Sequence, residues 1–213
     1  MVVNKLPSLF FDNYLSDKFE MLMDYFMSWT LRCSQNKYKD IDEKVNSYSK
    51  MILSKILFND NNKLNHEKII SVKCGKNCPA NNGYIDLWCE IEIENYDKIF
   101  VIIFENKGYT KIRLDQLINY QNFIENYYIN ENHQINYIMM RGDDLIQDDF
   151  EKCKNSNFKP LSINDLMEIF ETLEPTGNAL FDEFWYHWYW NKDIEEKSSK
   201  IIEEIFENRK NGI

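Results

Sequence analysis

The most constraining feature of this chain is an apolar run at residues 99–104 that stops abruptly at the polar sequence Glu105-Asn106-Lys107. A strand that is apolar at every position is covered on both faces, so the run predicts a central strand of a sheet. Just before it, residues 84–94 alternate strictly between apolar and polar side chains, which predicts a second, half-buried strand. The apolar face of that strand consists of Ile85, Leu87, Cys89, Ile91 and Ile93.

Helical and strand periodicities around these two strands predict an α/β fold, with a small mixed β-sheet flanked by helices. We find no linker and no internal repeat, so we expect a single domain over residues 1–213. Its core would span about residues 40–145, with helical additions at 1–39 and 160–213. The remaining predicted elements are helices at 8–35, 42–58, 111–128 and 162–173 (N-cap Ser162), strands at 67–73 and 135–140, a loop at 74–83, and helix from about 178 to the end.

Composition restricts the classes of partner. The chain has 213 residues, with 25 basic and 35 acidic side chains and a net charge of −10. A basic coat for nucleic acid is therefore excluded, and any phosphate contact needs a local basic patch or metal ions. Five cysteines at irregular spacing do not form a secreted disulfide framework. No signal peptide and no apolar run of roughly 18 residues is found, so we expect a cytoplasmic protein without membrane spans.

Three charged residues of the central strands are candidates for chemistry. Asp86 lies in the middle of the alternating strand, and Glu105 and Lys107 follow the apolar run on one face, two residues apart. If the two strands pair, Asp86 can approach Glu105, and the two carboxylates repel unless a cation neutralises them. Hard oxygen ligands favour Mg²⁺, and a neighbouring lysine can orient water or offset phosphate charge. The alternative is that Glu105 and Lys107 are solvated charges at a strand end.

The order and spacing of these residues resemble the PD-(D/E)XK nuclease superfamily. Asp86, then Glu105-Asn106-Lys107, looks like its signature, with Ile85 in place of the usual proline. Downstream, Gln116 and Tyr120 resemble the Gln-x-x-x-Tyr helix motif found in one branch. Residues 45–51 are similar to a segment of an uncharacterised bacterial branch. The resemblance implies a restriction-endonuclease-like core.

The resemblance also implies roles for individual residues. Asp86, Glu105 and the backbone carbonyl of Asn106 would hold Mg²⁺, which Mn²⁺ can replace, and Lys107 would position the attacking water. Gln116 and Tyr120 would shape the catalytic site. An acidic residue on the first core helix often joins the metal site, and Glu43 is the nearest candidate. The implied nucleic-acid contacts are Arg113, Gln116 and Tyr120, although simple helix packing is the alternative for Tyr120.

These expectations describe a Mg²⁺-dependent nuclease that acts on DNA rather than RNA, in a setting such as restriction or phage defence. Two alternatives are a non-catalytic nucleic-acid-binding module and a protein-interaction subunit of a larger defence complex.

An aromatic segment at residues 181–190 is a second feature of interest. Phe181, Phe184, Trp185 and Trp188 form one apolar stripe at helical spacing. We expect the segment to be buried, either within the domain or in a homodimer interface. Stacking of nucleic-acid bases is the third alternative, which the neighbouring Asp182 and Glu183 make less attractive. If the chain is a protein-interaction subunit, this segment would be its docking surface.

Overall fold

The computed structural model describes residues 19–80, 83–108, 110–129, 132–142 and 144–186. Asp42 begins the second helix by accepting a hydrogen bond from the Val45 amide at 3.0 Å, and Ser162 is the N-cap that the sequence predicts. Short 3-10 turns lie at Asn36–Tyr38 and Glu168–Phe170. The helices and strands, in chain order, are α1 (Phe19–Cys33), α2 (Glu43–Phe58), β1 (Ile69–Ala80), β2 (Gly83–Ile93), β3 (Ile99–Lys107), α3 (Leu114–Tyr127), β4 (His133–Arg141), α4 (Gln147–Lys154), β5 (Lys159–Ser162), α5 (Ile163–Met167) and α6 (Ala179–Trp185).

The described strands form one sheet in the order β1-β2-β3-β4-β5. The first three are antiparallel neighbours, whereas β4 and β5 each run parallel to the preceding strand. Helix α3 makes the crossover from β3 to β4, because parallel neighbours need a long connection. This is the predicted α/β fold with a mixed sheet flanked by helices.

Strand β3 is the centre of the molecule, as its apolar sequence predicts. Its side chains from Phe100 to Asn106 are all buried. On one face they pack against a large cluster that includes residues of α1, α2 and α6, and on the other against a smaller cluster with α3. The polar end of β3 is therefore held between α1 and α3.

The prediction of a loop at residues 74–83 is wrong for most of that segment. Strand β1 continues to Ala80 and pairs with β2 as far as Ala80 opposite Gly83. Gly75 and Pro79 suggested a loop, but β1 is an edge strand of the described sheet, where a proline removes no ladder hydrogen bond. The extension carries Lys76 and Cys74 along the same face of the strand.

Helix α4 and strand β5 were not predicted. Helix α4 has eight residues and few apolar side chains, and β5 has four residues, so neither gives a clear periodicity. Because β5 joins the sheet and α1 packs on it, elements on both sides of residues 40–145 contribute to the core.

The alternation predicted for β2 breaks at Ile85. Leu87, Cys89, Ile91 and Ile93 pack in the cluster with α1 and α2, but Ile85 packs in the cluster with α3. The break is next to Asp86, where the β2–β3 register ends at Leu87 opposite Phe104.

The described part of the aromatic segment is buried within the chain. Phe181, Phe184 and Trp185 are almost fully covered, and Phe184 stacks on Phe26 of α1 with ring centroids 4.4 Å apart. Trp185 Nε1 donates to Thr30 Oγ1 at 3.1 Å. These side chains anchor α1 and are not available for a dimer interface; residues 187–190 lie outside the described part.

None of the helices in the described ranges is long and apolar enough to cross a membrane.

Candidate active site

The β2–β3 register brings Asp86 and Glu105 together. Leu87 faces Phe104, so one step further along the same antiparallel register places Asp86 opposite Glu105. The ladder does not continue there, because the Asn106 amide donates to Asp86 Oδ2 at 2.8 Å. The Asp86 carboxylate is thus fixed against the backbone of the residue between Glu105 and Lys107.

Lys107 lies two residues beyond Glu105, on the same face of β3. Its ammonium forms an ion pair with Glu105 Oε1, and its side chain is 13% exposed while that of Glu105 is fully buried. Asp86, Glu105 and Lys107 therefore converge at the end of the most buried strand, and Lys107 reaches towards solvent.

Helix α1 supplies two further carboxylates that sequence reasoning missed. Asp24 accepts a hydrogen bond from the side-chain amide of Asn106. Glu20 accepts from the Gly108 amide at 2.7 Å and from the Thr110 hydroxyl at 3.1 Å. Glu20 and Asp24 are four residues apart on one helical face, a like-charge spacing that is unfavourable alone and could have signalled a nearby cation.

Lys76 of β1 is a third missed residue at this site. Its ammonium lies 3.8 Å from Asp24 Oδ2 and 3.2 Å from the ring centroid of Tyr25. Burial lowers the pKa of Lys76, and the Asp24 and Asp86 carboxylates oppose this shift. Sequence reasoning missed it because residues 74–83 were predicted as a loop.

Asp24, Asp86 and Glu105 hold their protons more tightly than ordinary carboxyl groups, because the pKa of each is raised. Burial, followed by repulsion from Asp86, raises the pKa of Glu105 to about 8. Burial and the same neighbour raise the pKa of Asp24 to about 7. The pKa of Asp86 is also raised, chiefly by burial. Two buried carboxyl groups, Asp24 and Glu105, and the half-buried Asp86, with two nearby lysines, form a site short of positive charge.

The donor atoms at this position fit a divalent cation. The buried Glu105 oxygens contact Lys107 and the Asp86 carboxyl, yet neither they nor Asn106 Oδ1 accept a well-formed hydrogen bond from the described residues. A strand residue directs its N–H and C=O to the same side, so the Asn106 carbonyl is directed towards Asp86 as well. Carboxylate and carbonyl oxygens are ligands that suit Mg²⁺.

Within the described ranges, no group of three or more His, Cys, Asp or Glu side chains is arranged to hold a metal ion. Asp86, Glu105 and the Asn106 carbonyl supply only two side chains of these types, so they do not make up such a group. The structure also does not bring Glu43 to these donors. Glu43 is exposed in the first turn of α2, next to Asp42 and Lys44, which contact Asn178 and Pro175.

The predicted α3 residues form a hydrogen-bonded row beside the site. Arg113 Nη2 donates to Gln116 Oε1 at 3.4 Å, and Gln116 Nε2 donates to the Tyr120 hydroxyl at 2.7 Å. The Tyr120 hydroxyl donates in turn to the Tyr84 carbonyl at 2.6 Å. Tyr120 is buried and holds α3 to β2 two residues before Asp86, whereas Arg113 is exposed.

Gly83 makes room for this contact. A Cβ at Gly83 would lie 3.3 Å from the Tyr120 hydroxyl, and its φ of +155° is one that other residues rarely adopt.

Comparison with known proteins agrees with this geometry. A family model described as the PD-(D/E)XK nuclease superfamily matches residues 10–211, nearly the whole chain. Searches of curated proteins and of solved structures found no match. The family match and the sheet that carries Asp86, Glu105 and Lys107 lead to one conclusion: the chain belongs to the PD-(D/E)XK nuclease superfamily.

Proposed function

We propose that this chain is a divalent-metal-dependent deoxyribonuclease, active as a single domain over residues 1–213. Membership in the superfamily implies a nuclease in general, in a group that typically uses divalent metals. The observation that carries the proposal is the convergence of Asp86 and Lys107 on the buried Glu105 oxygens, which accept no well-formed hydrogen bond from the described residues. The preference for DNA and a setting in restriction or phage defence rest on family analogy.

The proposed metal ligands are Asp86, Glu105 and the Asn106 carbonyl. A divalent cation there would stabilise charge on the phosphate and make water a stronger nucleophile. Asp24 holds the Asn106 side chain, and through it the backbone that separates Glu105 from Lys107. Mg²⁺ is the proposed ion and Mn²⁺ its substitute, because the donors are all hard oxygens.

Lys107 acts on the water and the phosphate. Its ammonium is paired with Glu105 and has a partly open side, so it can hold the attacking water by hydrogen bonding. As charge develops on the phosphate oxygens, the same ammonium stabilises it in a site with little solvent. Lys76 adds a second positive charge on the Asp24 side.

The proposed DNA contacts continue onto the first turn of α3. Arg113 is exposed there, and Gln116 links it to Tyr120 and so to the catalytic strand β2. With a net charge of −10, such local contacts must attract the DNA backbone. A homodimer would supply two active sites for cutting both strands, through surfaces other than Phe181, Phe184 and Trp185.

A substrate panel tests the proposal. Purified chain with Mg²⁺ or Mn²⁺ should cleave at least one of circular single-stranded, circular duplex, linear single-stranded and linear duplex DNA. It should leave matched RNA intact, and chelation should stop the reaction. Metal-dependent binding of DNA without cleavage would instead support a non-catalytic nucleic-acid-binding module.

Metal binding should release protons and raise the melting temperature. At pH 7, with the pKa of Glu105 at about 8 and that of Asp24 at about 7, the metal-free site retains protons that a cation must displace. We expect about one proton per Mn²⁺ bound, and a higher apparent affinity as pH rises from 6 to 8. Calorimetric titration in buffers of different ionisation enthalpy measures the number of protons.

Ca²⁺ should also raise the melting temperature without supporting cleavage. Melting curves that millimolar Mn²⁺, Mg²⁺ and Ca²⁺ all leave unchanged would contradict the assigned metal site.

The α3 contacts give a separate prediction. Gln116→Ala should weaken DNA binding or turnover by about 1–3 kcal/mol, because it breaks the link between Arg113 and Tyr120. Arg113→Ala should lower the slope of binding against salt by roughly one phosphate contact. Fluorescence anisotropy across a salt series measures both, with the exposed Lys63→Ala as control. If both variants bind and cut as wild type does, α3 is only a packing element.

A further inference from the structure

Two cysteines face each other across the β1–β2 hairpin. Cys74 is the register partner of Cys89, and their sulfur atoms lie 2.7 Å apart. Residues directly opposite on antiparallel strands have Cα atoms about 4.5–5.5 Å apart, which is within the range that a disulfide spans. The backbone therefore needs no rearrangement to accept a bond between these two sulfurs.

The environments of the two thiols differ in a way that suits stepwise chemistry. Cys89 is fully buried, whereas Cys74 is partly exposed. The Cys89 thiol donates a hydrogen bond to Cys74, which lowers the pKa of Cys74, and Ser28 and Arg32 of α1 act in the same direction. Cys74 is thus the accessible nucleophile, with Cys89 directly behind it.

The other cysteines lack this arrangement. Burial raises the pKa of Cys33 to about 11 and that of Cys153 to about 12, and it also raises the pKa of Cys78. Thiols whose pKa is raised react slowly with a disulfide from solution, because the thiolate is the reacting form. Burial raises the pKa of Cys89 as well, but the sulfur that Cys89 would attack is already in contact with it.

We propose that Cys74 and Cys89 are a site of covalent modification, a dithiol that closes to a cross-strand disulfide by exchange with a small-molecule disulfide. Cys74 attacks one sulfur of the small disulfide, which forms a mixed disulfide and releases one thiolate. Cys89 then attacks the Cys74 sulfur and releases the second thiolate. The protein loses two electrons and two protons, and the small disulfide becomes two thiols.

The bond would alter a contact that holds α1 near the active site. Ser28 hydrogen-bonds the Cys74 sulfur, and one helical turn earlier Asp24 contacts Lys76, two residues along the same face of β1. These are two consecutive contacts of one helix with one strand. A disulfide sulfur is uncharged and accepts hydrogen bonds weakly, so oxidation weakens the first contact and loosens the second, at Asp24.

Mass spectrometry of the folded, metal-free chain tests the modification. After incubation with excess oxidised glutathione and alkylation in denaturant, wild type should lose two alkylatable thiols and the mass of two hydrogen atoms. Peptide mapping should join Cys74 to Cys89. Cys78→Ser and Cys153→Ser should behave as wild type, while Cys74→Ser should form no disulfide and Cys89→Ala should stop at the mixed disulfide on Cys74.

Three outcomes would overturn the proposal. They are five alkylatable thiols after prolonged exposure, a disulfide that joins another pair, or an unchanged result in Cys74→Ser. Circular dichroism identifies any variant that fails to fold. If a cysteine variant does not fold, Ser28→Ala is measured in its place. This variant keeps both thiols but loses the hydrogen bond to Cys74, so it should form the disulfide more slowly.

The effect of the disulfide on α1 is tested by hydrogen exchange and by DNA cleavage. Only the cleavage measurement rests on the proposed function. Amide hydrogen exchange in residues 24–32 should become faster in the oxidised chain and return to its initial rate with dithiothreitol. DNA cleavage should fall by about fivefold or more and recover in parallel. A disulfide that forms while exchange and cleavage stay unchanged would contradict the coupling. Absence of cleavage in the reduced chain would instead contradict the nuclease assignment, while the mass measurement still reports the bond.

Discussion

Replacing Lys107 with alanine should lower the rate of DNA cleavage by on the order of 10²–10³-fold. Lys107 is the cation paired with the buried Glu105, and its side chain has an open side towards solvent. In the proposed mechanism its removal takes away both the hydrogen-bonding partner of the water and the charge opposite the phosphate, without opening a cavity in the apolar core.

The rate should be measured under single-turnover conditions with saturating Mn²⁺, so that DNA affinity does not determine the result. Lys98→Ala, which removes an exposed lysine at the β2–β3 turn, is the matched control. Lys107→Arg should recover part of the activity, since it restores charge but not geometry. A Lys107→Ala chain that cuts DNA at the wild-type rate would remove this residue from the mechanism.

The second large effect is on stability. Without metal, Glu105→Gln should make the chain more stable than wild type at pH 8–9. The pKa of Glu105 is raised from 4.5 to about 8 in the folded chain. Protonated Glu105 therefore makes its full contribution to the stability of the folded chain below about pH 4.5, and this contribution is lost as pH rises through about 8. Glutamine has no proton to lose, so the variant avoids burying the charge.

The size of this effect follows from the shift. The full difference of 3.5 pKa units corresponds to an upper bound of about 5 kcal/mol. Loss of the ion pair with Lys107 and the coupling to Asp86 reduce this, so we expect about 1–3 kcal/mol, or roughly 3–10 °C in melting temperature.

The dependence of the stability difference on pH shows whether it comes from ionisation of the buried Glu105 carboxyl group. The melting temperature of Glu105→Gln minus that of wild type should grow as pH rises from 6 to 9 in the presence of a chelator. The exposed Glu171→Gln is the control and should show no such trend. A difference that is constant or shrinks over this range would show that Glu105 does not carry a buried, proton-binding carboxyl group.

The sequence predicts the central part of the fold because its signals there are local. The apolar run at 99–104 reflects a strand buried on both faces, and the alternation at 84–94 reflects a strand buried on one face. Both strands are present in the structure. The meeting of Asp86 and Glu105 follows from their positions once these strands are antiparallel neighbours. Ile85 lies beyond the end of the β2–β3 ladder at Leu87, remains paired with Cys78 of β1, and packs in the cluster with α3, which the alternation alone does not predict.

The parts of the site that the sequence does not predict come from long-range packing. Asp24 is 82 residues from Asn106 along the chain, and its place depends on how α1 docks against β1, α2 and α6. Lys76 enters the site because β1 continues past Gly75. The sequence offers Glu43 as the acidic residue of the first core helix, but the structure places Asp24 and Glu20 of α1 beside the signature residues instead. No local periodicity distinguishes these alternatives.

We propose that Asp86 and Glu105 hold a divalent cation with which the chain cuts DNA. The most direct test is the rate of DNA cleavage measured against Mn²⁺ concentration for wild type and Asp86→Asn, with circular dichroism to verify folding. The structure predicts a saturating rise for wild type. It predicts a loss of about 10²-fold or more for Asp86→Asn at every concentration. An Asp86→Asn chain that follows the wild-type curve, or a wild type that cuts no DNA at any Mn²⁺ concentration, would contradict the claim.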